Sequence, residues 1–291
     1  MATTTAKAFD EFKERLKLTN AQSQLVAARF ATVASYLKSA FPSTSSLPLN
    51  KTDLIGSAGR QTIIRPIVDI DLFAEFTNKD NIFDRYRSDS QAFVYRIRDA
   101  LKSHSTVEVV GARGQAVRFF YVNPPHVDVA PVFKWKGDGY ALPNGTGGWL
   151  TTDPYAHQTY FSARNEALSH RLKPLVRMLK RWNACHRGYF KSFHLEVVAS
   201  TVFASLGGDS RDVCEKFFEW AQGNLRVSDP AGHSGDLSTY LNDGQRSNLM
   251  SNLESARQRA SAANSAERSD NHQEAIRLWR IVFGDEFPRF G

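Results

Sequence analysis

Residues 56–71 read GSAGRQTIIRPIVDID, a turn of small residues followed by an apolar stretch that carries two acidic side chains. The alternation over 67–76 predicts a β-strand in which Asp69 and Asp71 point to the same face. Two carboxylates this close repel each other unless a cation lies between them, and hard oxygen ligands suit magnesium. The small-residue turn offers backbone N–H groups and the Ser57 hydroxyl to a triphosphate.

A third carboxylate stands farther along the chain, at Asp128 in the segment HVDVAP (126–131). Its neighbours predict an apolar strand over 127–133, where a charged side chain is unexpected. Two metal ions about 3.5–4 Å apart usually share carboxylates. We therefore predict that Asp69, Asp71 and Asp128 hold two Mg²⁺ ions, with Mn²⁺ as the alternative, over a nucleoside triphosphate. A solvent-exposed strand face is the other interpretation of the acidic pair, and the upstream turn and the third aspartate disfavour it.

The chain changes character after Pro154, so two domains are expected. The first part mixes predicted helices (3–17, 19–40, 85–103) with strands (52–55, 67–76, 106–110, 116–122, 127–133) and a glycine-rich loop at 137–148. The second part predicts helices at 163–186, 192–206, 211–224, 234–242, 245–264 and from 271 onward. We expect an α/β (α+β) fold, with a mixed-sheet catalytic core and bracing N-terminal helices at 1–160 and a helical domain at 161–291. The cleft between the two domains is the expected place of the active site.

The composition is that of a folded protein with a phosphate-bearing partner. Of 291 residues, 42% are hydrophobic and 23% are charged, and the formal net charge is +7. Charge that serves only solubility is the alternative explanation of this balance. The two cysteines, Cys185 and Cys214, are too few for a disulfide framework or a zinc site. A polar N-terminus and the lack of an apolar run of about 18 residues predict a cytoplasmic protein with no secretory signal and no membrane span.

The glycine–serine turn, the Asp-Ile-Asp segment and the later Val-Asp-Val segment resemble the polymerase-β-type nucleotidyltransferase superfamily. Three helical segments narrow the resemblance: LKPLVRMLKRWN (172–183), KSFHLE (191–196) and LWRIVFGDEF (278–287). They are similar to segments of the bacterial cGAS/DncV-like nucleotidyltransferases (CD-NTases), the cyclic-oligonucleotide synthases of CBASS anti-phage systems. The resemblance covers nearly the whole chain, and it implies a polymerase-β-like core with a C-terminal helical lobe.

The resemblance also implies contacts to the triphosphate of the donor nucleotide. Gly56 and Ser57 would contact it from the turn, Lys180 would reach the phosphates from a helix, and Ser192 would add a hydroxyl. Without the family, Lys180 can equally be a solvated helix residue, and Ser192 can be a helix N-cap. Glu196, four residues later, is interpreted as an ordinary residue of the helix surface.

Two further residues are expected to contact a nucleobase. Phe193 stands where relatives often have a tyrosine stacked on a base, and a π-face is enough for stacking. Without the family, Phe193 can equally be a core residue. Asn165 lies near the place of base-selecting residues in some relatives, and its amide offers both a donor and an acceptor.

The predicted activity is the synthesis of cyclic di- or trinucleotide second messengers from NTPs, with release of pyrophosphate. ATP is the expected substrate, with a second NTP as an alternative, and a neighbouring effector protein is expected to respond to the product. Such synthases can be held inactive until a regulatory protein partner binds. Two other hypotheses stay open: an RNA-directed nucleotidyltransferase (a tRNA 3′-end modifier or a toxin), and a catalytically inactive relative that binds RNA or protein. Sensing of DNA is not supported, because the chain lacks a His/Cys cluster like the zinc insert of the animal sensor.

Overall fold

The chain folds into two compact units whose segments alternate along the sequence. The computed structural model describes residues 2–104, 109–135, 137 and 139–291. The sheet unit comprises residues 19–60 and 66–157, and the helical unit comprises residues 2–18, 61–65 and 158–291. The domain boundary at residue 160 stays a prediction.

A mixed sheet forms the sheet unit. Its strands are β1 (Leu49–Ile55), β2 (Asp69–Phe76), β3 (Val109–Arg113), β4 (Ala116–Phe120), β5 (His126–Lys134), β6 (Tyr140–Pro143) and β7 (Trp149–Thr152). The order is β1-β2-β5-β4-β3, while β6 pairs with β5 and with β7. The β2–β5 pair is parallel and the other pairs are antiparallel, so the predicted mixed sheet is confirmed.

Helices pack on the sheet and build the helical unit. They are α1 (Thr5–Leu16), α2 (Asn20–Ala40), α3 (Gly56–Gly59), α4 (Ser90–His104), α5 (Pro154–Ala167), α6 (Leu172–Cys185), α7 (Ser192–Val202), α8 (Ser210–Gly223), α9 (Asp243–Arg268) and α10 (His272–Phe283). A 3₁₀ helix covers Lys79–Arg85. Within the described residues, no helix is both long and apolar enough to cross a membrane.

The N-terminal end of α2 is fixed by local hydrogen bonds. The Thr19 hydroxyl accepts from the backbone N–H of Gln22, and the Gln22 side chain accepts from the backbone N–H of Thr19. This capping box satisfies donors that a helix start otherwise leaves unpaired. The buried residues Val26, Val33 and Leu37 then lie at helical spacing and form the face with which α2 packs in the sheet unit.

One face of β2 is fully buried and supplies much of the sheet unit's core. Ile70, Leu72 and Phe76 expose at most 1% of their surface. The Phe76 ring packs edge-on against Phe93 of α4, with ring centroids 5.4 Å apart. Each such side chain contributes about 1.5–3 kcal/mol to folding, so the packing holds β2 firmly in its register.

The opposite face of β2 is covered only along its second half. There Phe73 packs edge-on against Tyr140 and Tyr155, with ring centroids 4.9 and 5.8 Å apart. At the start of the strand, by contrast, Asp69 exposes 44% of its side chain. The sheet therefore leaves solvent access where β2 carries its acidic residues.

The helical unit is built around a large apolar cluster to which α1 belongs. Phe9 of α1 packs edge-on against Trp279 and Phe287, with ring centroids 4.9 and 5.1 Å apart. Phe12 contacts Phe283 at 4.8 Å. The N-terminal helix is thus fastened to the C-terminal end of the chain by aromatic packing.

The predicted single helix over 163–186 is wrong, because the chain turns between α5 and α6. Ser169 and His170 adopt left-handed backbone conformations, with φ of 54° and 60°. Such angles are incompatible with a continuous right-handed helix. The Asn165 side chain accepts from the backbone N–H of Lys173 at 3.1 Å and so fastens the turn.

Other expectations about local structure also need correction. The predicted helix over 234–242 is absent; this segment is irregular and forms a bridge between Ser228 and Asp236. The expected loop over 137–148 contains strand β6, which forms a hairpin with β7. Of the predicted strand over 106–110, residues 106–108 lie outside the described part of the chain.

Candidate nucleotide and metal site

Three aspartates lie side by side at the start of two neighbouring parallel strands. In the register of β2 and β5, Asp71 lies opposite Asp128, and Asp69 lies opposite His126. Residues in register on adjacent strands share a face of the sheet. We call the surface that Asp69, Asp71 and Asp128 form the carboxylate face.

The turn at Gly56 begins directly beside Asp71. Ile55, the last residue of β1, pairs with Asp71, so the chain enters α3 at the edge of the carboxylate face. Gly56 has a φ of +63°, and a Cβ atom there would lie 1.9 Å from Oδ2 of Asp71. Only glycine fits this approach, and it brings the partly exposed Ser57 next to the aspartates.

A Gly56→Ala variant is expected to be less stable than wild type by on the order of 1–3 kcal/mol, because it adds backbone strain and a clash with Asp71. Thermal unfolding measures the effect. Gly114→Ala in the same unit is the matched control, since Gly114 has a φ of +58° and a Cβ there meets nothing within 4 Å. Equal losses in the two variants would show that the contact with Asp71 does not matter.

Burial and the neighbouring carboxylates both disfavour the charged form of the Asp71 carboxyl group. Burial, followed by the nearby Asp69 and Asp128 carboxylates, raises its pKa to about 6. The Arg60 and Arg118 guanidinium groups act in the opposite direction and lower this pKa. At neutral pH the three carboxylates therefore hold excess negative charge that a further cation would neutralise.

This raised pKa predicts a pH-dependent stability. The ordinary pKa of an aspartate is 3.8. Between about pH 4 and pH 6 the folded protein therefore binds more protons at Asp71 than the unfolded chain, so the contribution of Asp71 to wild-type stability falls as the pH rises through this window. Above it the cost is about 3 kcal/mol, since one pKa unit corresponds to about 1.4 kcal/mol.

An Asp71→Asn variant removes this cost. In EDTA, its advantage in unfolding temperature over wild type is expected to be small at pH 4, to grow up to pH 6 and to stay constant above. Unfolding scans of both proteins across this pH range provide the measurement. An advantage that does not change with pH would contradict the raised pKa.

Arg118 joins two of the aspartates and is a site residue that the sequence analysis missed. Its Nε donates to Oδ1 of Asp128 at 2.5 Å, and its Nη2 donates to Oδ2 of Asp128 and, at 3.1 Å, to Oδ2 of Asp69. These contacts, the hydrogen bond to Asp128 foremost, raise the pKa of the guanidinium. The signal was present in the sequence, because Arg118 is a charge inside the apolar strand AVRFF (116–120), as Asp128 is in its own strand.

The donor set suits magnesium, although the side chains do not stand in a ligand geometry. In the part of the chain that the structure describes, no three His, Cys, Asp or Glu side chains are arranged to hold a metal ion. On the carboxylate face, oxygens of Asp69 and Asp128 already form ion pairs with Arg118. Hard carboxylate oxygens, together with the raised pKa of Asp71, nevertheless fit a divalent cation at this face.

Lys180, expected at the phosphates, lies in a buried network of the helical unit. Its Nζ is 2.6 Å from Oε1 of Glu196 and donates to the Thr62 hydroxyl at 3.1 Å. The Thr62 hydroxyl in turn donates to Glu196 at 2.7 Å. Glu196 is fully buried, so its interpretation as a surface residue is wrong. Its position in the apolar run HLEVVAS (194–200) was the available signal.

The other predicted nucleotide contacts lie in different surroundings. Ser192 is exposed and Phe193 partly exposed in the first turn of α7, one turn before Glu196. Asn165 is buried, and its amide contacts Nδ1 of His170 at 3.2 Å besides accepting from Lys173. A base contact by Asn165 would require these bonds to break.

Comparison with known proteins places the chain in a family. Residues 3–165 match the model of the Second Messenger Oligonucleotide or Dinucleotide Synthetase domain, which is more than half of the 291 residues. The chain belongs to this family. The predicted enzyme class, a nucleotidyltransferase that makes cyclic oligonucleotides, is confirmed by this membership and by similar proteins with that activity in their names.

Relatives of this second messenger synthetase share most of its length. It is 25% identical over 268 residues to a probable cyclic nucleotide synthase of Bacillus cereus strain VD146, covering 80% of this chain and 81% of the relative. It is 26% identical over 262 residues to the cyclic AMP-AMP-AMP synthase of an Acinetobacter species, covering 82% and 73%. The E. coli MS115-1 CdnC in its complex with HORMA-deltaN has the same fold, with a TM-score of 0.79 at 18% identity over 97% of this chain and 98% of that one.

Proposed function

We propose that this synthetase makes a cyclic di- or trinucleotide from NTPs, with ATP as a substrate, and releases pyrophosphate at the carboxylate face. The observation that carries the proposal is the in-register pair of Asp71 and Asp128, with the Gly56 turn against Asp71. The naming of one relative as a cyclic AMP-AMP-AMP synthase supports adenine as a base.

In this proposal the sheet unit supplies the metal ligands and some of the triphosphate contacts. Gly56 and Ser57 hold the donor triphosphate through backbone N–H groups and a hydroxyl. Asp69, Asp71 and Asp128 hold the metal ions. Two magnesium ions, when bound, lower the pKa of the attacking hydroxyl and stabilise the leaving pyrophosphate.

The chain's own residues then mainly hold groups in place, since phosphoryl-type transfer depends on positioning and on neutralised charge. A ribose hydroxyl of one nucleotide gives up its proton to water and attacks the α-phosphorus of another nucleotide. A new P–O bond forms, the bond from that phosphorus to the bridging oxygen breaks, and pyrophosphate leaves. The linear product then reorients in the site. A second attack of the same kind closes a dinucleotide ring, whereas a trinucleotide ring needs one further addition before it closes. Ser192 and Phe193 are proposed to contact phosphate and base.

Lys180 requires a separate step in this scheme. To contact a phosphate, its ammonium group must exchange the carboxylate of Glu196 for a phosphate oxygen. A triphosphate carries several ionised oxygens and so competes with the carboxylate for the ammonium group, since ionised partners form the strongest hydrogen bonds. Without nucleotide, the pair with Glu196 keeps the buried ammonium group compensated.

We further propose a cytoplasmic role in anti-phage defence, in which a separate effector protein responds to the product. The E. coli MS115-1 CdnC is known in a complex with a HORMA protein. A regulatory protein partner is therefore proposed for this chain as well.

The test is product formation from the four NTPs, labelled at the α-phosphate, with Mg²⁺ or Mn²⁺. A phosphatase-resistant small product, identified by mass spectrometry, is expected from wild type. An Asp69→Ala/Asp71→Ala double variant is the control, and equal product from it would refute the site. If wild type forms product only after RNA is added, the RNA-directed nucleotidyltransferase is the correct alternative.

A further inference from the structure

Arg118 lies between the carboxylate groups of Asp69 and Asp128 on the carboxylate face. Its two donating nitrogens engage both oxygens of Asp128, and Nη2 also reaches Asp69 at 3.1 Å. A guanidinium group that grips a carboxylate through two hydrogen bonds makes a strong and directional pair. Only 11% of the Arg118 side chain is exposed, so water screens this pair weakly.

The guanidinium group of Arg118 and a divalent cation are both positively charged, so they compete for the carboxylate oxygens of Asp69 and Asp128. Like charges a few ångströms apart repel strongly in a partly buried site. A metal ion shared by Asp69 and Asp128 would therefore lie against the positive charge of Arg118. Either the metal ion stays in solution, or the guanidinium group gives up these carboxylates.

We propose that Arg118 is a positioning residue that keeps Asp69 and Asp128 together in the metal-free enzyme and is displaced when a divalent cation binds. The inference rests on the proposed function, because it takes these aspartates as metal ligands. Arg118 then weakens the binding of free metal ions. After displacement, Arg118 remains on β4 beside the site. There the phosphates of an incoming nucleotide compensate the positive charge of its guanidinium group.

Equilibrium binding of Mn²⁺ without nucleotide tests the competition, with the electron paramagnetic resonance signal of free Mn²⁺ as the readout. Arg118→Gln and Arg118→Ala are expected to bind Mn²⁺ on the order of 10-fold more tightly than wild type, within the usual range of coupling between two sites. Arg118→Lys keeps the charge and is expected to stay close to wild type. A residue with a purely structural role would leave the affinity unchanged or lower it.

Two controls separate the exchange from general changes in charge. Arg87→Ala removes an exposed arginine of the same unit that pairs with Asp84, and it should leave Mn²⁺ binding unchanged. Adding Asp128→Asn to Arg118→Gln should abolish the gain in affinity. If neither Arg118→Gln nor Arg118→Ala binds Mn²⁺ more tightly than wild type, the inference is wrong.

A second measurement covers the case in which the uncharged variants do not fold. In wild type, the Nε–H resonance of Arg118, assigned by its loss in Arg118→Lys, is expected to shift when Mg²⁺ is added. An unchanged resonance at saturating Mg²⁺ would overturn the exchange. Both measurements are independent of turnover. Cyclic product without either effect refutes this inference alone. Either effect without product supports this inference and shows that the proposed activity does not arise from this chain alone.

Discussion

An Asp71→Asn variant is expected to form cyclic product on the order of 1000-fold more slowly than wild type. Neutralising this carboxylate removes one of three proposed metal ligands, and metal-based stabilisation of transition-state charge is worth several kcal/mol. Asp71 also lies against the Gly56 turn, so its loss disturbs the expected triphosphate contact. Initial rates from α-labelled NTPs at saturating Mg²⁺ measure the effect.

The control must remove a carboxylate of the same unit away from the carboxylate face. Asp84→Asn serves this purpose, since Asp84 is exposed and pairs with Arg87. This variant is expected to keep the wild-type rate. Loss of rate in Asp84→Asn, or a rate within about threefold of wild type in Asp71→Asn, would remove Asp71 from the proposed mechanism.

A Glu196→Ala variant is expected to destabilise the protein by about 3–5 kcal/mol, because it removes the buried carboxylate that pairs with the ammonium group of Lys180. The variant also removes the hydrogen bond that the Thr62 hydroxyl donates to Glu196. Chemical unfolding at neutral pH, followed by circular dichroism, measures the loss. Glu274→Ala breaks an exposed ion pair with Arg277 in the same unit and is expected to leave the stability close to that of wild type.

A double variant distinguishes an unpaired charge from lost packing. Replacing both partners, as Lys180→Met with Glu196→Leu, is expected to recover most of the lost stability, since apolar side chains of similar size can replace a buried ion pair. If the double variant is as unstable as Glu196→Ala, packing and not charge determines the effect.

The sequence predicts the aspartates of the site but not their partners. Asp69, Asp71 and Asp128 stand out as charges in apolar strands, and that signal needs no knowledge of the fold. The same signal marks Arg118, yet its meaning depends on β4 pairing with β5 so that Arg118 lies opposite Asp128. Strand order is set by long-range packing, which a local pattern does not contain.

In the helical unit, the sequence analysis missed one turn and one buried charge. The break between α5 and α6 falls at Ser169 and His170. Pro174, which fits only the first turn of a helix, was a signal for a new helix start that the sequence analysis did not use. Asn165 holds that turn, although its amide also suits a base contact on chemical grounds. Glu196 can be buried because Lys180 and Thr62 pair with it. Both partners come from other segments, and a local sequence pattern does not show such long-range pairs.

Because segments of the two units alternate along the chain, a single recombination event can exchange only parts of each unit. The five-residue segment 61–65 belongs to the helical unit, although sheet-unit residues precede and follow it. Recombination at a single point therefore cannot exchange one unit intact. A single cut by a protease likewise cannot release either unit as one fragment. Exchange of either whole unit would require several crossovers, so we expect a change of partner or base preference to arise more readily by substitution within the chain.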